Sequence, residues 1–319
     1  MFNKLSLDEL YIARMMFKLK IHEKNGQNFE NLFSHVMRLN NIDFIQVKPQ
    51  GQFGDRKNDG FIKSTGQYYQ VYAPENLLHK EKETIEKLEN DFSGLYSYWD
   101  KSVTPILEFN FVLNDKYQGT YPTLHPELSK IESNYKGVKC KPFLSQHLED
   151  IFLNLPSQHI IDIVGLIPSA ESISLDVSIL SEVIQYIISI EESFFSEKFP
   201  INPDFEEKIK FNSLSQHVAT LLRYGSFQEG ALKEYFRLNS TFFKEDLKNT
   251  FTQLYNDGNK RIPVSEDKND IVFFDILNLA FPNSNKKQKD AVLVLMSYFF
   301  GYCDIYEEPP LNTKQLSIF

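Results

Sequence analysis

Between Glu30 and Glu75 the sequence gathers the side chains that metal-assisted hydrolysis of a phosphodiester needs. Glu30 comes first, followed by the polar segment QGQFGDRKNDG (50–60) with Asp55 and Asp59, and then by Gln70, Tyr72 and Glu75. In such chemistry a carboxylate holds a divalent cation beside the scissile phosphate. A second oxygen donor sits on an adjacent strand, and a side-chain cation orients the attacking water and offsets negative charge. Mg²⁺ is a hard ion that takes oxygen ligands, as Mn²⁺ also does, so Asp59 and Gln70 are chemically suitable. Lys48, Lys57 and Lys63 are the cations nearest to them along the chain.

The surrounding pattern supplies elements that position these groups. Residues 5–24 have helical period. A second helix is expected from about Asn28, with Phe29, Leu32, Phe33, Val36 and Leu39 on one face, and it carries Glu30. A short strand at Phe44–Lys48 ends at Pro49. Phe61-Ile62 and Tyr68–Tyr72 flank a Ser-Thr-Gly turn and read as a β-hairpin. Alternation places residues 70 and 72 on one face of that hairpin, with Asp59 at the start of its first strand. Pro74-Glu75 is expected to open a charged helix reaching about Leu95, and its Glu/Lys mixture at 80–91 reads as a solvated face. A strand at 107–113, a helix near 126–135 and a strand at 138–144 follow.

Beyond the small polar stretch near Pro168–Ser174 the period is helical throughout. Helices are expected at 176–192, 203–224, 227–237, 241–257, 270–280 and 285–300, with Pro200, Pro203, Gly225, Gly258, Pro263 and Pro282 at the breaks. The expected architecture is an α/β domain at 1–168 followed by an all-α domain at 169–319.

Composition narrows the function classes. The chain has 319 residues, 42% hydrophobic and 24% charged, enough to bury a core without staples. Two cysteines, Cys140 and Cys303, exclude a disulfide framework or a Cys-rich zinc site. No apolar run approaches the ~20 residues of a membrane span, and the N-terminus lacks a signal-peptide core. A cytoplasmic protein without a membrane partner is therefore expected. The net charge of −9 does not resemble a free-standing DNA-binding module, which carries a basic excess. The seven histidines show no ligand spacing, and neither a Walker-type loop nor a G-x-S-x-G elbow is present.

Two resemblances sharpen the reading. Glu30 on a helix, then G-D-x-x-x-D-G (Gly54, Asp55, Asp59, Gly60), then Gln70 on a hairpin strand resembles the Mrr-type branch of the restriction-endonuclease-like nucleases. The resemblance implies an α-β-β-β-α-β core. It also implies metal binding by Asp59 and Gln70, with Glu30 close by. Tyr72 stands where that pattern has a lysine, and a phenol with an ordinary pKa of ~10 supplies no positive charge. Lys48, Lys57 or Lys63 would then have to substitute.

The runs AVLVLMSYFFGYCDIYEEPP (291–310) and FNSLSQHVATLLRYGSFQEGALKEYF (211–236) resemble the C-terminal domain of three-component ABC-ATPase defence systems, the Lamassu-like group. The phrase GDRKNDGF…YYQVYAPE is similar to effector domains of that group. What this implies is an anti-phage effector docked on an SMC/ABC-type ATPase, with a third accessory subunit as a further partner. DNA would be its substrate, and the chain would self-associate when active.

Two functions remain open at this level. One is a Mg²⁺-dependent DNA endonuclease kept silent by its ATPase partner. The other is a non-catalytic adaptor or nucleic-acid-sensing subunit whose nuclease fold has degenerated. The plainer roles are a turn for Asp59, loop solvation for Asp55, a first-turn helix carboxylate for Glu30 and a cross-strand amide for Gln70. They extend to a half-buried aromatic for Tyr72, a strand-end lysine for Lys48, a first-turn helix residue for Glu75 and a buried thiol for Cys303.

Overall fold

The period-2 segments of the N-terminal half assemble into one mixed sheet. In the computed structural model, which describes residues 4–49, 56–190, 204–239, 242–302 and 305–310, five strands lie side by side in chain order. β1 (Phe44–Gln46), β2 (Gly60–Ile62) and β3 (Gln67–Tyr72) pair antiparallel. β4 (Glu108–Leu113) runs parallel to β3, and β5 (Lys139–Phe143) runs parallel to β4. Parallel neighbours need crossovers, here α3 (Glu81–Ser102) and α4 (Leu124–Asn134). With α2 (Gly26–Asn40) ahead of β1, the order is helix, three strands, helix, strand, and then α4 and β5.

Alternation assigns the two faces of the sheet. Phe61, Tyr68, Phe109, Phe111 and Leu113 share one face and pack against Leu88, Phe92 and Leu95 of α3 and Leu124, Leu128 and Ile131 of α4. The opposite face carries Phe44, Tyr69 and Phe143. Their rings gather around Phe33 of α2 at centroid distances of 6.0, 5.6 and 5.5 Å. α5 (Ser145–Leu153) and α6 (Ser157–Val164) complete this part.

The chain divides into two compact units, one of Met1–Lys4 with Lys20–Gly165 and one of Leu5–Leu19 with Leu166–Phe319. Helix α1 (Leu7–Glu23) therefore contributes to both, and its Ile12, Met15 and Leu19 belong to the core of the second. That second unit is helical. It holds α7 (Val177–Ile188), α8 (Phe205–Phe211), α9 (Gln216–Ser226), α10 (Glu229–Leu238), α11 (Phe242–Arg261), α12 (Lys268–Ala280) and α13 (Lys286–Gly301). From Asp290 to Phe300 every residue of α13 is buried, the mark of a helix surrounded by others rather than lying on a surface. Asn285 and Gln288 close its start with a reciprocal capping box, at 3.1 and 3.0 Å.

Several element boundaries differ from the sequence expectation, each for a local reason. The stretch 203–224 is two helices, because Ser213 adopts φ 50° and Asn212 bonds across the break to the Glu307 carbonyl at 2.9 Å. Gly258 does not end α11; a Cβ there would lie 2.8 Å from Asp275 Oδ2, so the glycine lets α12 come close. Gly225 plays the same part between α9 and α13, where a Cβ would fall 2.1 Å from Ser297 Oγ. The helix expected from Pro74-Glu75 begins later, at Glu81, after a short 3-10 turn at Leu77–His79. Glu75 therefore lies exposed in the preceding loop and not in a helical first turn.

Candidate active site

Asp59 occupies the position just before β2. Its N–H donates to the Tyr69 carbonyl and its carbonyl accepts from the Val47 N–H, both at 3.0 Å, which ties it to β3 and to the residue that follows β1. The β2–β3 register ends at the Gly60–Tyr69 pair, and the Asp59 N–H bonds the same Tyr69, so Asp59 sits beside that pair at the end of β3 that carries Gln70 and Val71. Gly60 is required at this point: a Cβ would lie 2.3 Å from the Phe44 ring. Asn-Asp-Gly is thus the entry to a strand and not a free turn.

This end of the sheet holds buried polar atoms that lack partners. Asp59 is 3% exposed, and its Oδ2 accepts from the Val71 N–H at 2.6 Å. Gln70 is 5% exposed, and its Oε1 has no hydrogen-bond partner. Asn58 is fully buried; its Oδ1 accepts from the Gly60 N–H at 3.1 Å while its Nδ2 is unpartnered. Each such orphan costs about 1–3 kcal/mol of desolvation, so an accumulation of them marks a place where a ligand or ion belongs. Tyr121 Oη and Asn25 Oδ1 are also unpartnered. Asn25 immediately precedes α2, whose Gly26 N–H donates to the Ala73 carbonyl at 2.6 Å.

Glu30 lies one turn into α2, half-buried, on the helix that packs against the other face of the sheet. The Gly26–Ala73 bond brings the start of that helix to the same sheet end as Asp59 and Gln70. Asp55 and Gly54 lie outside the described residues, as does Cys303. Cys140 is buried on the sheet, and burial raises its thiol to about 12, so it is a structural thiol.

The position expected to carry a lysine is settled in detail. The Tyr72 hydroxyl donates to Glu83 Oε1 at 2.6 Å, and its ring stacks on Phe111. Burial first, and that hydrogen bond second, hold the phenol well above its ordinary pKa, so it stays neutral. The hydrogen bonds from Tyr72 and then Lys80 hold Glu83 below the usual carboxylate range. Of the three sequence-neighbouring cations, Lys48 is exposed and Lys63 is exposed in the turn at the far end of β2. Lys57 is turned toward α3, where its ammonium lies 3.0 Å from Asp91 Oδ1.

That loop is fastened to α3. Arg56 and Lys57 adopt φ 57° and 64°, the Trp99 indole donates to the Arg56 carbonyl at 3.3 Å, and the Arg56 guanidinium sits 5.1 Å over the Tyr98 ring. Gly94 leaves room for the Lys57 stem, which a Cβ would meet at 2.9 Å. Glu75 faces Lys116, and burial lowers the ammonium of Lys116 against the opposing pull of Glu75.

Sequence reasoning missed Asp91, Lys87 and Asn58. The 80–91 segment is not simply a solvated face: Asp91 is 1% exposed and binds Lys57 and Lys87. A signal for it exists, since Asp91 falls in the same 3–4 spacing as the buried Leu88, Phe92 and Leu95.

Among the described residues no group of three or more His, Cys, Asp or Glu side chains gathers to hold a metal. The donor set at the sheet end is one carboxylate and one amide oxygen. That fits a hard divalent ion retaining several waters, and it does not fit zinc or another ion that needs a closed nitrogen or sulfur cage.

The molecule is thus of a two-part class, a mixed α/β unit with a polar cluster at one sheet end and a helical unit built around α13. Residues 178–307 match the family described as C-terminal domain 10 of the ABC-three component (ABC-3C) systems, so the helical part is similar to the C-terminal domains of such systems. The match covers less than half of the chain and does not reach the sheet. No curated protein and no solved structure matches the chain. Among the described residues no helix is long and apolar enough to cross a membrane.

Proposed function

We propose that the chain is a metal-dependent DNA endonuclease effector of an ABC-three-component anti-phage system. The sheet unit would be its restriction-endonuclease-like domain, and the helical unit would dock it to an SMC/ABC-type ATPase alongside a third subunit. The observation that carries this reading is the unpartnered Gln70 Oε1, buried at the same end of the sheet as the carboxylate of Asp59, which the neighbouring Val71 N–H holds. Support comes also from the order helix, three strands, helix, strand, with β4 parallel to β3, and from the family match at 178–307.

In this reading Asp59 and Gln70 hold Mg²⁺ or Mn²⁺, with Glu30 approaching from the start of α2. The bound ion would supply a polarised phosphate and a nucleophilic water at neutral pH. The residues of the chain do the rest. The Val71 N–H fixes the Asp59 carboxylate beside Gln70 on β3, and the cations fastened to α3 attract the phosphate backbone. The net charge of −9 agrees with a nuclease that needs partners or self-association to engage DNA.

The adaptor reading has one observation of its own. Tyr72 is held neutral with its hydroxyl tied to Glu83, so β3 offers no cation. Incubating supercoiled plasmid with the full chain and Mg²⁺ or Mn²⁺ separates the two. Nicking or linearisation by wild type but not by Asp59→Ala is the expected result. No cleavage by either, with the ATPase partner added, favours the adaptor.

A further inference from the structure

Asp91 on α3 is a buried carboxylate with a cation on each oxygen. Lys57 Nζ lies 3.0 Å from Oδ1, and Lys87 Nζ lies 2.5 Å from Oδ2. Lys87 also lies in the field of Glu83, the carboxylate that accepts from the Tyr72 hydroxyl. Lys57 stands two residues before Asp59 in the loop leading into β2. Lys87 Nζ sits 5.5 Å over the ring of Tyr72, two residues beyond Gln70 on the same face of β3. The cluster therefore spans the sheet end between the two strands that carry the candidate donors.

The pairing is not explained by helix stability. A lysine four residues before an acid is the less favourable orientation on a helix, and an exposed pair would contribute little. Asp91, however, is buried at 1% exposure, whereas Lys87 keeps 29% of its side chain exposed. A buried carboxylate that holds a partly exposed ammonium in one place positions that cation for something outside the core. Tyr72 completes the support. With its hydroxyl anchored by Glu83, it presents a fixed ring face to the ammonium, a favourable cation–π contact.

We infer that Lys87 is the cation of the candidate site, delivered from α3 to the place where a lysine at position 72 would otherwise put one. Asp91 is its positioning residue and the Tyr72 ring its platform. The class of ligand it meets is a phosphodiester oxygen or the water that attacks it. This rests on the nuclease reading given above, which left the cation unassigned.

The test compares plasmid cleavage and Mn²⁺-dependent thermal stabilisation for full-length wild type, Lys87→Met, Lys87→Arg and the double variant Lys87→Met/Tyr72→Lys. Removing a preorganised electrostatic group at a reacting centre lowers rates by about 100-fold or more. Lys87→Met is expected to lose about that much while keeping the Mn²⁺ shift, because the metal donors lie on the strands. Lys87→Arg should retain part of the rate, and the double variant should recover at least tenfold over Lys87→Met. A purely structural role would lower the metal-free melting temperature of Lys87→Met and give no recovery with Tyr72→Lys. Cleavage by Lys87→Met at the wild-type rate, or absence of recovery in the double variant, overturns the inference and leaves the nuclease reading intact. Absence of both cleavage and Mn²⁺ shift in wild type instead overturns the nuclease reading, and this inference with it.

Discussion

The Asp59–Gln70 end of the sheet and the Asp270 cluster of the helical unit treat buried polar groups in opposite ways. In the helical unit Asp270 is 3% exposed and is met by the Tyr11 hydroxyl at 2.9 Å and the Ser215 N–H at 3.0 Å. Asp290 accepts from Lys286 and from the Ser174 N–H, and Asn212 binds the carbonyls of Lys208 and Glu307 and the Glu307 N–H. At the sheet end Gln70 Oε1 and Asn58 Nδ2 are equally buried and have no such partners. Matched polar groups tie elements together, whereas unmatched ones mark where a missing ligand would restore the bonds. The contrast separates a cluster that ties elements together from one with hydrogen-bonding capacity left over.

The largest effect that could break this contrast is on the matched side. Asp270→Leu would leave the Tyr11 hydroxyl and the Ser215 N–H without their acceptor, at about 1–3 kcal/mol each. Urea denaturation should show a loss of that order, with no change in any response to divalent metal. The corresponding change on the unmatched side should have the opposite sign. Gln70→Leu removes an orphaned amide, so the metal-free protein should gain about 1 kcal/mol while losing its Mn²⁺ response. If Gln70→Leu destabilises as Asp270→Leu does, Gln70 is an ordinary structural amide.

The smallest effect is a pH dependence within the helical unit. Lys287 and then Ser178 depress the half-buried carboxylate of Asp176 from 3.8 to about 2. Because the folded pKa is the lower one, its contribution is fully present above pH 3.8 and is lost as pH falls through about 2. Asp176→Asn should flatten that acid limb in thermal melts between pH 4 and 2 and change nothing at pH 7.

Much of this was legible in the residues. The hairpin, the two later strands and the helical C-terminal part follow from period 2 giving way to period 3.6, and Gln70 and Tyr72 fall on one face as alternation requires, whereas the parallel direction of the later strands comes from the crossovers. The placement of Asp59 at the same sheet end as Gln70 was legible only as a consequence of the hairpin. Close approaches were not: Gly258 and Gly225 read as helix breaks, yet they are contact points against Asp275 and Ser297. The Asp91 cluster was hidden for a related reason. A lysine- and glutamate-rich helix looks solvated until the packing of α3 on Phe109 and Phe111 shows which of its charges turn inward. Which core the start of α1 joins is likewise a tertiary fact, since its pattern of apolar residues would serve either unit.

The most direct test of the central claim is a divalent-metal titration of the full chain, followed by thermal melting, with wild type beside Asp59→Asn. Asparagine keeps an oxygen for the Val71 N–H and removes the charge a cation needs. At about 100 times its Kd, Mg²⁺ or Mn²⁺ should stabilise the wild type by about 2.7 kcal/mol, a rise of roughly 5–10 °C for a unit of this size. EDTA should reverse the rise, and Asp59→Asn should show none of it. An equal rise in both proteins, or none in wild type at millimolar metal, would contradict a metal site at Asp59 and Gln70.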